Sequence, residues 1–350
     1  MPEPNVLAVL RAALSAVLDV APHAADLRVL RALPGLAALV PAGRALRAEQ
    51  GFKPLHAALQ AEGVPVDDPA APEPAGVPPG LMIVLPPRSR DEGRALLARA
   101  LRDVAVGGVV AGAALNDEGA RSVEKDLASL IPLAGHLSKA HGRAFWSVPR
   151  PSALAPETLA RLDGWIGGDA PRRDAASGLW QRPGVFNEGR LDVGSALLIE
   201  HLPPNLHGAV ADLGAGTGLL TLAVLQRCVD VASVDLFEAE YRAVDLARRN
   251  LVDARATVRC HWHDVANGVP GRFDAVVCNP PFHVGSRGVP ALGRAFIAAA
   301  ARALKRDGQL LLVANRHLPY EDALRERFGR GELLAEQAGF KVYRAWEPLP

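Results

Sequence analysis

The chain has 350 residues, 49% of them hydrophobic, and a formal net charge of +1, enough length for two buried cores but no field strong enough to announce a nucleic-acid partner, so any RNA must be held by locally placed arginines. No apolar run reaches the roughly 18 residues of a membrane helix, because "LSAVLDVAPHAADL" and "AFIAAAARALKRDG" are interrupted by charge, and the start "MPEPNVLAVLRAAL" has no signal-peptide pattern. The three cysteines, Cys228, Cys260 and Cys278, have no C-x-x-C spacing, which excludes a disulfide framework and sets the expected location in a reducing cytoplasm.

In chain order, an N-terminal helical stretch is followed by a proline-dense segment, Val64 to Pro87, which reads as an extended linker. "GLMIVLPP", "DEGRALLARALRDV" and "VGGVVAGA" then read as strand, helix and strand, a small α/β unit. Breakers from Ser147 to Gly178 mark an interdomain connection. From Pro203 the alternation is regular. "GAVADLGAG" is a strand and glycine turn, "TGLLTLAVLQRC" a helix, "VDVASVD" a strand and "EAEYRAVDLARRN" a helix; "ATVRCHW" and "RFDAVVCNP" are strands, "GRAFIAAAARALKRDG" a helix ending at glycine and "QLLLVAN" a strand. Such units build a parallel sheet with helices on both faces, and the tail "LAEQAGFKVYRAW" is suited to closing it with antiparallel strands.

"ADLGAGTGLL" puts Gly214, Gly216 and Gly218 in a turn after an apolar strand, where a backbone without side chains can approach a ligand closely. A dinucleotide fingerprint is G-x-G-x-x-G, whereas here the third glycine comes one residue early and Asp212 precedes the first by two. That carboxylate repels a pyrophosphate and tolerates a cation, so the turn suits the sulfonium and ammonium of S-adenosylmethionine better than NAD. Asp235 in "ASVDLF" lies about 20 residues on, where an acid takes ribose hydroxyls, and Asp264 in "HWHDV" is placed for the adenine amino group.

An exocyclic amine on a nucleobase is a poor nucleophile because its lone pair is delocalised into the ring. In "CNPPF" the side-chain carbonyl of Asn279 and the backbone carbonyl of Pro280 can each accept one N–H and favour a pyramidal nitrogen. Pro281 stiffens the turn without adding a donor, and Phe282 can stack on the base. Cys260, His261, His263, Asp264, Cys278 and His283 invite a metal reading, but no ligand-pair spacing is present and none is expected.

With these residues in hand, the chain resembles the ribosomal RNA guanine-N2 methyltransferases of the small-subunit (RsmC-like) type, with large-subunit RlmG-like relatives. "PGVFNEGRLDVGSALLIEHLP", "DLGAGTG", "CNPPFH" and "LLVANRHLPYEDALRERFG…GFKVYRA" carry the resemblance over the whole second half, with Asn187 where the family usually has Ser. The resemblance implies two Rossmann-like class I methyltransferase folds in tandem: residues 1–165 a degenerate one that recognises or supports substrate, residues 176–350 the catalytic one. It further implies cofactor contacts at Asp212, Gly214, Gly216, Gly218, Asp235, Asp264 and Phe186, and a target-amine site at Asn279, Pro280, Pro281 and Phe282. In the degenerate fold "LMIVLPPRSRDEG" is expected to stand where a glycine turn would be. The expected activity is methyl transfer from S-adenosylmethionine to guanine N2 of ribosomal RNA, free or in the subunit, most simply the small one, with no membrane partner. The rival readings are a protein glutamine-N5 methyltransferase and a non-catalytic RNA-binding ribosome-assembly factor.

Overall fold

The structure, a computed structural model, describes residues 5–71, 76–185, 192–281, 283–284, 287–288 and 290–349. They form two compact units, Met1–Pro171 and Arg172–Pro350.

The first unit runs α1 (Asn5–Val20), β1 (Asp26–Leu30), β2 (Ala45–Glu49), α2 (Lys53–Ala61), β3 (Val66–Asp67), β4 (Leu81–Val84), α3 (Arg90–Asp103), β5 (Val109–Leu115), α4 (Ala120–Ala128), β6 (Leu133–Lys139), β7 (Gly142–Ser147) and α5 (Pro156–Gly168). Its sheet order is β3-β2-β1-β4-β5-β7-β6, with parallel pairing up to β5 and antiparallel pairing through β7 and β6. Three expectations are corrected here. The stretch before "GLMIVLPP" is not helical alone, since beside α1 and α2 it supplies β1, β2 and β3. Those strands escape a hydrophobic pattern because Arg28, Arg47 and Arg99 neutralise Asp67 and Glu49 across them. The proline-dense segment therefore connects strands within one unit and separates nothing. Likewise α5 falls in the expected interdomain connection, yet its Leu162 is buried in one core with Leu97 and Leu101 of α3.

The second unit opens with a small hairpin, β8 (Arg172–Arg173) and β9 (Trp180–Gln181). It continues α6 (Val193–Glu200), β10 (His207–Leu213), α7 (Leu219–Arg227), β11 (Asp230–Glu238), α8 (Tyr241–Asn250), β12 (Thr257–Trp262) and β13 (Phe273–Cys278). A short ladder, β14 (His283–Val284) and β15 (Arg287–Gly288), precedes α9 (Pro290–Ala303), β16 (Leu304–Asn315), α10 (Glu321–Arg327), β17 (Phe328–Gln337) and β18 (Phe340–Pro348). The main sheet has the order β12-β11-β10-β13-β16-β18-β17, again parallel until its last two strands. Alternate residues of each strand face opposite layers: Val276 and Cys278 pack with Phe296 and Ile297 of α9, while Ala275 and Val277 pack with Leu198 of α6 and Val224 of α7. Burial on both faces makes these strands continuous apolar runs and lines their carboxyl ends up along one edge. The helix expected to reach Gly308 stops at Ala303, because Leu304 already pairs with Phe273 in the parallel ladder.

The two sheets share a register. Leu30 faces Glu49 and Val84 on its neighbours, as Leu213 faces Phe237 and Cys278. It follows that Arg31 corresponds to Gly214, Gln50 to Glu238 and Leu85 to Asn279. "LPPR" from Leu85 to Arg88 is thus the counterpart of the Asn-Pro-Pro turn, and not, as expected from sequence, of the glycine turn. The glycine turn's counterpart is "RALPG", Arg31 to Gly35, where Arg31 pairs with Glu92 and Gly35 N–H is held by Glu62.

Candidate functional site

Gly214, Gly216 and Gly218 all have positive φ, at 73°, 55° and 84°, the region in which glycine alone is unstrained. The backbone N–H groups of Gly214 and Ala215 donate to Phe237 O at 2.9 and 3.2 Å, and Gly216 N–H donates to Glu238 Oε2 at 2.9 Å. A Cβ on Gly218 would stand 2.8 Å from Leu251 Cδ1, whereas one on Gly216 would meet nothing within 4 Å among the described residues. Asn250 at the end of α8 ties it further, donating to Thr217 O at 3.0 Å.

Pairing of β10 with β13 places Leu213 opposite Cys278, so the glycine turn and Asn279, 65 residues apart, become neighbours. Between them lies a cleft lined by Asp192, Ser195, Asp212, Gly214, Gly216 and Asn279 among others. Asp212 is fully buried. Its Oδ2 accepts from Thr221 Oγ1 at 2.7 Å, and its Oδ1 accepts nothing among the described residues. Burial pushes its carboxyl up to about 7, with the nearby Glu238 adding to the rise against the Thr221 hydrogen bond. Asn279 is held by its amide nitrogen, which donates to Ser195 Oγ at 2.8 Å and to the Asp192 carboxylate at 3.2 and 3.3 Å. Its carbonyl Oδ1 is buried with no donor among the described residues. Pro280 is buried and Pro281 exposed.

The acids at the strand ends divide differently from expectation. Asp235 is not at a strand end: β11 runs three residues further, Asp235 lies opposite Ala211, and its carboxylate is taken by Arg259 Nε at 2.8 Å and His261 Nε2 at 2.7 Å. Burial opposes its ionisation, but those two hydrogen bonds hold it below the ordinary carboxylate range. The acid that ends β11 beside the glycine turn is Glu238, whose Oε1 also accepts from Glu240 N–H at 2.8 Å and whose carboxyl is raised by burial. Sequence reasoning missed it, along with Asp192, Ser195 and Thr221; the helix start at "EAEY" directly after "DLF" was the available signal for Glu238. Asp264 caps the short turn after β12, accepting from Ala266 N–H and Asn267 Nδ2, both at 3.0 Å. Phe186 and Phe282 lie outside the described residues. His261 stacks on Phe237 with centroids 4.6 Å apart and His263 Nε2 meets Gly268 O; no group of three His, Cys, Asp or Glu suited to a metal ion occurs among the described residues.

Two buried acceptor oxygens on residues that line the cleft thus have no donor among the described residues, a carboxylate oxygen of Asp212 on the glycine-turn side and the amide carbonyl of Asn279 on the Asn-Pro-Pro side. Buried acceptors without donors are rare in a finished fold, and these two complement a ligand bearing a cation and an N–H group.

Residues 177–344 match the methyltransferase small domain family. Ribosomal RNA small subunit methyltransferase C of Escherichia coli O1:K1 is 39% identical over 163 residues, 47% of this chain and 47% of the relative, so this alignment spans about half the length of each. Its counterpart in E. coli strain SMS-3-5 aligns further, 31% identical over 274 residues covering 74% of this chain and 73% of the relative. Among solved structures, the T. thermophilus 16S rRNA N2 methyltransferase RsmC, in complex with AdoMet and guanosine, superposes with a TM-score of 0.75 at 26% identity, covering 92% of this chain and 88% of that one.

Proposed function

The chain belongs to the ribosomal RNA small subunit methyltransferase C family, and from that premise we propose that it methylates the exocyclic N2 of a guanine in small-subunit ribosomal RNA, using S-adenosylmethionine. The observation that carries this reading is the buried Oδ1 of Asn279, beside the glycine turn and without a donor among the described residues. S-adenosylmethionine supplies an electrophilic methyl group on a sulfonium. The glycine turn would let the backbone approach it, Glu238 would accept from its ribose hydroxyls, Asp212 would hold its ammonium and Asp264 its adenine amino group. Asn279 Oδ1 and the Pro280 carbonyl each accept one N–H of the guanine amine, which withdraws its lone pair from the ring and orients it. Guanine N2 is normally paired, so the base enters unpaired or flipped out. The cytoplasm is the proposed setting; no helix among the described residues is long and apolar enough to cross a membrane.

Transfer of radiolabelled methyl from S-adenosylmethionine into a lysate lacking the activity tests this. Label is expected in 16S rRNA as N2-methylguanine, and label in protein instead would convert the reading to a glutamine-N5 methyltransferase.

Asp212 gives the site a pH dependence. Its carboxyl sits at about 7, above its value in the unfolded chain, and a bound ammonium favours the ionised form. Affinity for S-adenosylmethionine is therefore expected to tighten between pH 6 and 7.5, by up to about tenfold, with proton release on binding at pH 6. Calorimetry in buffers of different ionisation enthalpy reads both effects, and Asp212→Asn is expected to abolish them.

The first unit is proposed to bind no cofactor and to serve substrate recognition or support. Where the second unit has Gly214, Glu238 and Asn279, it has Arg31, Gln50 and Leu85. Gln50 keeps the local role of Glu238, accepting from Phe52 N–H at 2.9 Å, but its amide turns inward to Ala32 O at 2.7 Å. Leu85 is buried and apolar. Titration is expected to give one S-adenosylmethionine per chain; two equivalent sites would refute it.

A further inference from the structure

The carbonyl of Asn279 accepts a guanine N–H only if the amide is turned the right way, and a side-chain amide has two nearly isosteric orientations. Four observations bear on what selects one. Asp192 caps α6, its Oδ1 accepting from Gly194 N–H at 3.0 Å and Ser195 N–H at 3.1 Å, so its position is fixed by the backbone. The turn is tightly packed: a Cβ on Gly194 would stand 2.9 Å from Phe340 Cε1. Both Asp192 oxygens then lie 3.2 and 3.3 Å from Asn279 Nδ2. In the opposite orientation the amide oxygen would occupy that place against an acceptor-only carboxylate, which has no proton to give it.

Ser195 by itself does not decide the matter. Its hydroxyl accepts from Nδ2 at 2.8 Å, yet a hydroxyl donates as readily as it accepts and would serve either orientation. We propose that Asp192 is the positioning residue of the target-amine site: it fixes the orientation of the Asn279 amide so that the acceptor faces the cleft. The proposal rests on the functional reading above for its consequence in turnover, and on geometry alone for the orientation.

A reciprocal exchange tests it in the full-length protein. Asp192→Asn keeps the helix cap, since asparagine caps as well as aspartate, but tolerates both orientations; kcat on small-subunit rRNA is expected to fall tenfold or more with the KM for S-adenosylmethionine within about threefold. Asn279→Asp sets two carboxylates face to face, which cannot both ionise at contact distance, and is expected to lose about a hundredfold or more in kcat. Combining the two restores one amide donating to one carboxylate, with an acceptor still facing the cleft, so the double variant is expected to regain at least tenfold over Asn279→Asp. A residue needed only for folding would give no such recovery. Failure of the folded, cofactor-binding double variant to recover overturns the proposal.

Should wild type transfer no methyl to rRNA, the functional reading fails and the positioning claim is judged separately by NMR of the Asn279 side-chain amide. Slow solvent exchange of its two protons in wild type, lost in Asp192→Asn, supports the claim; equal exchange in both overturns it.

Discussion

Asn279→Ala is expected to lower kcat for RNA methylation by a hundredfold or more while S-adenosylmethionine binds within about twofold of wild type. On the proposed mechanism the variant removes one oriented acceptor from the reacting amine, a change worth roughly 10²–10³ in rate in comparable sites, or about 2.7–4 kcal/mol. The loss belongs in kcat because the acceptor acts most strongly as the nitrogen becomes pyramidal and positive, so it is a transition-state interaction more than a ground-state one. Cofactor affinity is spared because the glycine turn is held by Phe237 O, Glu238 and Asn250, none of which depends on the Asn279 side chain. Single-turnover kinetics with calorimetry separates the two quantities, and unchanged turnover would remove Asn279 from the chemistry.

Glu238→Ala is the second large effect, and it falls on binding. The carboxylate holds Gly216 N–H at 2.9 Å and Glu240 N–H at 2.8 Å, so its removal loosens the turn and, on the proposed cofactor placement, deletes the ribose acceptor. Hydrogen bonds to a charged group are worth about 1.5–3 kcal/mol, so the Kd for S-adenosylmethionine is expected to rise by about 10- to 150-fold. Asp235→Ala serves as the contrast. Its partners are Arg259 and His261, and its loss is expected to lower stability while leaving the Kd within about threefold. Calorimetry on the two variants decides between these acids; the reverse ranking would return the ribose role to Asp235.

That choice shows where sequence stops being sufficient. The glycine turn and the Asn-Pro-Pro turn were legible because each needs residues with special backbones, and those residues stand at the ends of apolar runs. Asp235 is the first acid at the spacing that predicts the end of the next strand. The strand continues because the sheet neutralises that acid through Arg259 and His261 and buries Leu236 and Phe237 beyond it. The same cause hid β1, β2 and β3, whose charges are satisfied by partners 20 to 50 residues away. Without those strands in the pattern, "LPPR" reads as the end of a first strand, whereas it follows the fourth in chain order. Asp192 acts on Asn279 from 87 residues away, and no local pattern announces such a pair.

The central claim is guanine-N2 methylation of small-subunit ribosomal RNA, and mass mapping of N2-methylguanine in ribosomal RNA from a strain lacking the gene tests it most directly. One N2-methylguanine is expected to disappear from 16S rRNA, to return with the wild-type gene and to stay absent with Asn279→Ala. Retention of every N2-methylguanine in the deletion strain, or loss confined to large-subunit RNA, would contradict the account.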